Sequence, residues 1–421
     1  MKKNFRKIFI ALIFFIGNSD SFAQKTEWQR DIGFLIQELQ GKSNLFSQGK
    51  DFEAFKNELH AFADNINDST PKFSLVLKLK QIFAKQNVIH FNVMLYTNRE
   101  KEIYLPFRFY QFENKVCIVA STEEFKNYNG CELIAINNFK INTVIDSLNT
   151  LVPAETEGCK KGILEVLSYV EALMYFGFAD NNEIKLKLTD KNGDNSVLAV
   201  VPSKLTISNE GLIAYTAEKT PFYVKNGNEW FYSEYISQDS IYCIQYNKCW
   251  SKELEKKFGR KSSANAAPSF ERFTKRVKDD LEKLSYKKIV VDLRLNTGGA
   301  SPQGKDFIDE VFADEKFKDK IFLVTSNRTA SSAILNAVYL KRKTNCITIG
   351  EEPCGKPNHF GEIKVFVLPM SKVQLCYPTK YFQNVNPHEN YFKPEIRVST
   401  SYIDFLTGND PVYQTILNYN K

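Results

Sequence analysis

The stretch "IFLVTSNRTASSAILNAVYLK", Ile321 to Lys341, decides how the C-terminal part of this chain is read. Ile321 to Val324 is a short unbroken apolar run, the form a strand takes when both faces of its sheet are covered. A polar knot, Thr325 to Thr329, follows, and Ala330-Ser331-Ser332 opens a helix. Two serines at such a joint have two readings. One is capping, in which a hydroxyl accepts from the free N–H groups of the first turn. The other is nucleophilic, with those N–H groups and the helix dipole facing the charge that forms when the hydroxyl attacks a carbonyl.

Working outward, "SIYCIQYNKCW" from Ser240 reads as a strand, and Phe270, Phe273, Val277, Leu281 and Leu284 mark one helix face. "KKIVVDLRLN" is a second buried strand. "CITIG", "EIKVFVLP" and "VQLCYPTKYF" are further strands, and Asp410-Pro411 caps and opens a terminal helix. Strands alternating closely with helices specify an α/β layer architecture. In such sheets catalytic groups gather beyond the carboxyl ends of the strands. That places Asn296 to Gly299, Asn327 to Ser331 and Gly350 to Lys356 along one rim.

Upstream the pattern differs. Trp28, Ile32, Leu35, Ile36 and Leu39 repeat at helical spacing, Phe52 to Phe62 does the same, and Pro71 starts a third helix. "NVIHFNVMLY", Asn87 to Tyr96, is rich in β-branched and aromatic residues and reads as a strand with His90 inside it. From Leu105 to Pro202 the signals are mostly β, interrupted by a helix at Ile163 to Phe176 and ending in a hairpin whose turn contains Asn192-Gly193. The expected division is therefore residues 24–95 as a helical region ending in the His90 strand, 96–225 as a mostly β region, and 226–421 as the α/β domain.

The first residues have the order of a secretory signal peptide: Lys2-Lys3 and Arg6-Lys7, an apolar run Ile8 to Ile16, then Ser21-Phe22-Ala23 before Gln24. Residues 1–23 are expected to be removed and the mature chain exported, periplasmic or extracellular. The sequence shows no second apolar run of spanning length, so stable membrane insertion is not expected. Of the formal net charge of +7, Lys2, Lys3, Arg6 and Lys7 against Asp20 contribute three, leaving +4 from Gln24 onward. That mild charge, with acids interleaved among the bases, argues against a nucleic-acid partner.

The eight cysteines contain no CxxC pair, and a chain of 421 residues needs no staples to build a core. Mostly buried thiols are expected, with one or two bridges in an exported chain. Cys243 and Cys249 stand about 20 Å apart if their run is a straight strand, too far to bond each other. His60, His90, His359 and His388 show no metal-ligand spacing, so no metal site is expected.

The rim supplies three kinds of chemical part. In "DLRLNTGG", Asp292 to Gly299, the two glycines permit close backbone approach and can aim an N–H at a bound oxygen. Ser331 brings a hydroxyl to a helix start, with the N–H of Ser332 beside it. "GEEPCGKPNHFGE" brings Lys356, which serves as a general base when burial lowers its pKa, and His359.

These blocks, "VVDLRLNTGG", "TSNRTASSAILNA" and "IGEEPCGKPNHFGE", in this order, resemble the signatures of the C-terminal processing (tail-specific) serine protease family, which includes the tricorn-like proteases. "YCIQYNKC" before them and "KYF" and "KPEIRV" after them fit the same resemblance, and "GCELIAINNFKINTVIDSL" resembles the middle of a PDZ domain. The implied fold is multidomain α/β: an N-terminal helical region, a central PDZ-like mostly β region and a C-terminal catalytic domain of the tail-specific protease type. The resemblance puts the nucleophile on Ser331 and the oxyanion donors on the Gly298-Gly299 backbone and the N–H of Ser332. It leaves the base open. The processing branch implies Lys356, although Phe360 stands where that branch has a glutamine. The tricorn-like branch implies His90, oriented by a carboxylate at Glu389 or, less directly, Glu395, and His359 is a further candidate. The implied activity is a cofactor-free serine endopeptidase acting on peptides or unstructured tails. The alternative is a catalytically impaired, peptide-binding relative. Oligomeric state is not legible.

Overall fold

The computed structural model describes residues 26–67, 69–95, 103–161, 164–180, 182–202, 211–259, 261–317 and 319–420. The basic and apolar segment read as a signal peptide lies outside them. The fold is mixed α/β, with helices at the N-terminal side and several sheets.

The apolar runs of the C-terminal part do form a covered sheet. Among the described residues its order is Ile396–Arg397, Ile347–Gly350, Ile321–Thr325, Lys288–Asp292, Ile241–Tyr246 and Phe231–Ile236. All neighbours are parallel except the last two, which form an antiparallel pair. Every residue of Ile241–Tyr246 and Ile321–Thr325 is buried, because both faces carry helices. Ile289, Val291 and Leu323 face a core shared with Phe273, Phe307 and Ile334, while Val290, Phe322 and Val324 face Val412 and Ile416 of the terminal helix. This alternation about a continuous apolar run is what a doubly covered parallel strand requires. It leaves the strand ends, with the three polar loops, on one rim.

The sheet is tied to the terminal helix by a buried charge network. Arg294 bridges Asp292 at 2.7 Å and Asp410 at 2.9 Å, and its guanidinium stacks 3.8 Å from the Tyr223 ring centroid. All three charged groups are buried, so the planar fork of arginine is matched on two sides by carboxylates.

The central region is a sheet with the path Phe107–Phe112, Lys115–Ser121, Glu132–Ile136, Ile184–Thr189 and Asn195–Val200. The helix expected at Ile163 to Phe176 is split into Leu164–Leu167 and Val170–Tyr175. Between them Tyr169 bridges Tyr104, and Leu105 donates to the Ser168 carbonyl at 2.8 Å. A β-type contact from a neighbouring chain segment thus takes the bond that a continuous helix would need.

The N-terminal helices Glu27–Leu39, Phe52–Asp64 and Lys72–Ala84 bury Ile32, Leu35, Leu59, Leu79 and Phe83 in a core that also takes Leu368, Leu375 and Tyr377. These last residues belong to a hairpin, His359–Val367 with Gln374–Phe382, and to its turn. Buried Asp31 accepts from the turn amides of Met370 at 2.9 Å and Ser371 at 2.7 Å. A helix near one end of the chain and a hairpin near the other are therefore one packed unit.

This packing places His90. The strand expected over Asn87 to Tyr96 is only Asn92–Val93, paired antiparallel with Gln374–Phe382, and His90 lies in the turn before it. The cause is the tight exit from the preceding helix at Asn87, with φ of 53°, followed by burial of Phe91 against Phe83, ring centroids 4.2 Å apart. The buried Lys80 ammonium then donates to Asn92 Oδ1 at 2.6 Å and to the Val93 carbonyl at 3.0 Å. Among the described residues no helix is long and apolar enough to cross a membrane.

Candidate active site

The polar knot after Ile321–Thr325 holds its own loop together. Thr325 Oγ1 donates to the Glu351 carbonyl at 2.8 Å, Ser326 Oγ to the Arg294 carbonyl at 2.6 Å and Thr329 Oγ1 to the Leu293 carbonyl at 2.8 Å. Asn327 Nδ2 reaches Glu351 at 3.0 Å and the Tyr110 hydroxyl at 3.1 Å. Ala330 donates to the Asn296 carbonyl at 3.0 Å, and Cys354 to the Thr329 carbonyl at 2.9 Å. The short polar residues of "TSNRT" therefore lock a sharp strand-to-helix turn between two neighbouring loops.

At the end of that turn Ser331 adopts φ 52° and ψ −124° and precedes the helix Ser332–Thr344. This backbone region is costly for a residue with a Cβ, and strain of this kind gathers at functional positions. A serine presented on a strained strand-to-helix turn is also the geometry of a nucleophile elbow. The Ser331 hydroxyl makes no capping bond. Instead Ser331 Oγ lies 3.1 Å from His90 Nε2, a contact between residues 241 positions apart that only the shared N-terminal and hairpin packing produces.

The second serine has a different task. Ser332 Oγ donates to the Gly299 carbonyl at 2.7 Å, which ties the glycine loop to the helix start. Gly299 is pinned from its other side by the backbone pairing with Cys249, and a Cβ there would fall 2.3 Å from the Cys249 carbonyl oxygen. A Cβ on Gly298 would fall 2.8 Å from Ser331 Cβ and 3.0 Å from the Ser332 nitrogen. Both glycines have positive φ, 105° and 139°, so their type is set by close approach to the serine turn as well as by conformation. The Gly298 N–H is taken by Asn296 Oδ1 at 2.9 Å. Among the described residues the N–H groups of Gly299 and Ser332 have no hydrogen-bond partner, and they are the ones free to receive an oxyanion. Asn296, fully buried, also donates to the Tyr246 carbonyl at 2.8 Å, which fixes the loop from below.

The His90 imidazole is pushed down from its ordinary 6.5 to about 4, first by burial and then by the neighbouring His359, whose ring lies parallel at 5.7 Å. The Phe360 backbone pulls the other way, but Nδ1 is buried without a well-formed hydrogen bond. A neutral imidazole at pH 7 is the form a general base needs. His359 is held differently: its Nδ1–H faces the Lys356 carbonyl at 2.9 Å, and burial lowers its pKa as well.

The other expected bases and orienters are placed elsewhere. The Lys356 ammonium lies over the Tyr391 ring, 5.7 Å from its centroid, while the hydrogen bond of the Ser331 hydroxyl goes to His90. Glu389 is exposed in the short turn Pro387–Glu389, and no hydrogen bond joins it to His90. Glu395 receives Thr348 N–H at 2.8 Å and pairs with Lys341 at 2.9 Å, so it serves the sheet edge. Glu155 escapes a reading of the sequence because nothing in "VPAETEGC" distinguishes it from a surface acid. It is half-buried beside the His90 turn, with Oε2 shut off from solvent, and its Oε1 accepts from Ile89 N–H at 3.0 Å. Nor does spacing reveal the disulfide Cys159–Cys354; the remaining six cysteines are free and buried.

No family model and no curated protein matches the sequence. Solved structures do match in fold. The chain superposes on mature CPAF complexed with lactacystin with a TM-score of 0.64 at 11% identity, covering 94% of this chain and 99% of that one. Mature CPAF without the compound gives 0.64 at 12% identity over 93% and 98%. The tricorn protease aligns at 0.47 with 13% identity, over 93% of this chain and 36% of that one. The chain has the CPAF fold over nearly its whole length.

Proposed function

We propose that this chain is an exported serine endopeptidase that cleaves peptides or unstructured protein tails through an acyl-enzyme on Ser331, with His90 as its base. The observation that carries the reading is the strained, uncapped Ser331, its hydroxyl 3.1 Å from His90 Nε2. Neutral His90, protonated on Nδ1, accepts the Ser331 proton at Nε2 as Oγ attacks the scissile carbonyl. The oxyanion develops against the Gly299 and Ser332 N–H groups at the positive end of the helix. The imidazolium then returns the proton to the leaving amine, and water reverses the sequence to release the acid. The match in fold to CPAF over nearly the whole chain supports this reading by analogy of architecture. In this reading the PDZ-like central region holds or gates the chain end by strand addition.

One observation favours a second reading, a peptide-binding protein without turnover: His90 Nδ1 is buried with no well-formed hydrogen bond to orient the ring. The two are separated by treating the chain from Gln24 onward with a fluorophosphonate, beside Ser331→Ala, His90→Ala and Lys356→Ala. The peptidase reading expects labelling at Ser331, lost in Ser331→Ala, abolished in His90→Ala and retained in part by Lys356→Ala. Loss in Lys356→Ala with near-normal His90→Ala overturns His90 as base. A folded native protein that stays unlabelled from neutral to alkaline pH supports the peptide-binding reading.

A further inference from the structure

His90 and Ser331 belong to segments far apart in the chain, and the contacts that join those segments run through a third. Ala154 donates to Asn87 Oδ1 at 3.4 Å and Glu155 Oε1 accepts from Ile89 at 3.0 Å, both on the turn that carries His90. One residue later, Thr156 Oγ1 donates to the Pro353 carbonyl at 2.8 Å and accepts from Gly355 N–H at 3.2 Å. Gly158 packs so closely that a Cβ would fall 2.5 Å from the Glu352 carbonyl oxygen, and Cys159 is bonded to Cys354. Cys354 in turn bridges Ala330, the neighbour of the nucleophile. Residues 154–159 are thus a strap with one edge on the His90 turn and the other on the loop beside Ser331.

At the centre of the strap is a carboxylate in an unusual setting. Glu155 Oε2 is buried with no hydrogen-bond partner, and it would lie 3.4 Å from a Cβ placed on Gly355. The charged groups facing it are Lys356, on the loop it packs against, and Lys50, from the N-terminal region. Burial raises its pKa from 4.5 to about 7, against the opposing effect of the Ile89 and Lys356 backbones and the two ammonium groups.

We propose that Glu155 is a positioning residue for the Ser331–His90 pair, its ionised carboxylate holding the Ile89 N–H and so setting where the neighbouring imidazole stands. The proposal rests on the serine-peptidase reading for its catalytic consequence. A charged acceptor binds an N–H about twice as strongly as a neutral one. Protonation weakens the grip on Ile89 and puts a hydroxyl hydrogen on Oε2, which has no acceptor. The Ser331–His90 geometry is then tight at alkaline pH and loosened in acid.

The test uses the full chain from Gln24 with imidazole carbons labelled, and compares it with Glu155→Gln, which keeps a carbonyl acceptor but cannot titrate. In the native protein the His90 resonance is expected to report an inflection near pH 7, where Glu155 ionises, as well as its own near pH 4. Glu155→Gln removes the first and keeps the second. The rate of fluorophosphonate labelling at Ser331 is expected to fall in acid in two steps in the native protein, near pH 7 and near pH 4, whereas Glu155→Gln, whose neutral acceptor keeps the weaker grip at every pH, shows only the step near pH 4, from a plateau lowered toward the native rate between those two values. A native His90 resonance with no inflection near pH 7 overturns the proposal whether or not the variant folds. Identical labelling profiles overturn it too. If Ser331 is never labelled, the peptidase reading falls, and the His90 titration alone still decides whether Glu155 acts on the imidazole.

Discussion

Replacing His90 by glutamine removes a group that folding keeps neutral, and the consequence for stability has a definite sign. The folded imidazole titrates near 4 against an ordinary 6.5. Between those values the unfolded chain binds a proton that the folded chain does not, so folding weakens as pH falls through 6.5 toward 4. At about 1.4 kcal/mol per pH unit, that gap is worth about 3 kcal/mol by pH 4. Glu155 runs the other way. Its folded pKa of about 7 lies above 4.5, so it contributes stability that is complete below 4.5 and lost as pH rises through 7, again about 3 kcal/mol. The two nearly offset each other in the native protein. Single replacements uncover them: between pH 7 and pH 4, His90→Gln gains about 3 kcal/mol relative to native and Glu155→Gln loses about as much. Urea unfolding followed by tryptophan fluorescence at both pH values, at constant ionic strength, measures the difference. A His90→Gln curve that stays parallel to native across this range refutes the buried neutral imidazole.

Three further outcomes follow from the same contacts. Gly298→Ala drives a Cβ to within 2.8 Å of Ser331 Cβ and is expected to lower fluorophosphonate labelling by about 100-fold or more, the scale of a disturbed oxyanion site, while circular dichroism stays native. Arg294→Met leaves Asp292 and Asp410 buried without their partner and is expected to cost about 3–5 kcal/mol in urea unfolding; a loss below about 1 kcal/mol, the range of exposed pairs, contradicts the network described. Reducing Cys159–Cys354, which closes a separation of 195 residues, is expected to remove up to about 5 kcal/mol by chain entropy and to slow Ser331 labelling, read by mass spectrometry with and without a phosphine reductant. Unchanged labelling after complete reduction shows that the strap holds without its covalent end.

Much of the last part of the chain was legible locally. Continuous apolar runs such as Ile321 to Val324 imply covered parallel strands, and the glycine pair at 298–299 and the serine pair at 331–332 mark strand ends where a backbone must approach closely. These features depend on near neighbours in sequence, and periodicity and residue type record them. The roles within the serine pair were not legible, because a cap and a nucleophile use the same hydroxyl at the same helix position. The backbone at Ser331 and the bond from Ser332 to Gly299 distinguish the two.

What only tertiary structure decided is everything that depends on distance between remote segments. His90 and Lys356 stood as alternative bases, with His359 a further candidate, and the sequence around His90 suggested a strand interior. Its place beside Ser331 comes from Phe91 packing on Phe83, from Lys80 holding Asn92 and Val93, and from two residues pairing with a hairpin near the other end of the chain. Glu155 and the Cys159–Cys354 bond were invisible for the same reason. Burial and partnership of a titratable group are properties of the surrounding fold, and a pKa near 7 for one carboxyl or near 4 for one imidazole exists only once water has been excluded by residues that the local sequence does not name.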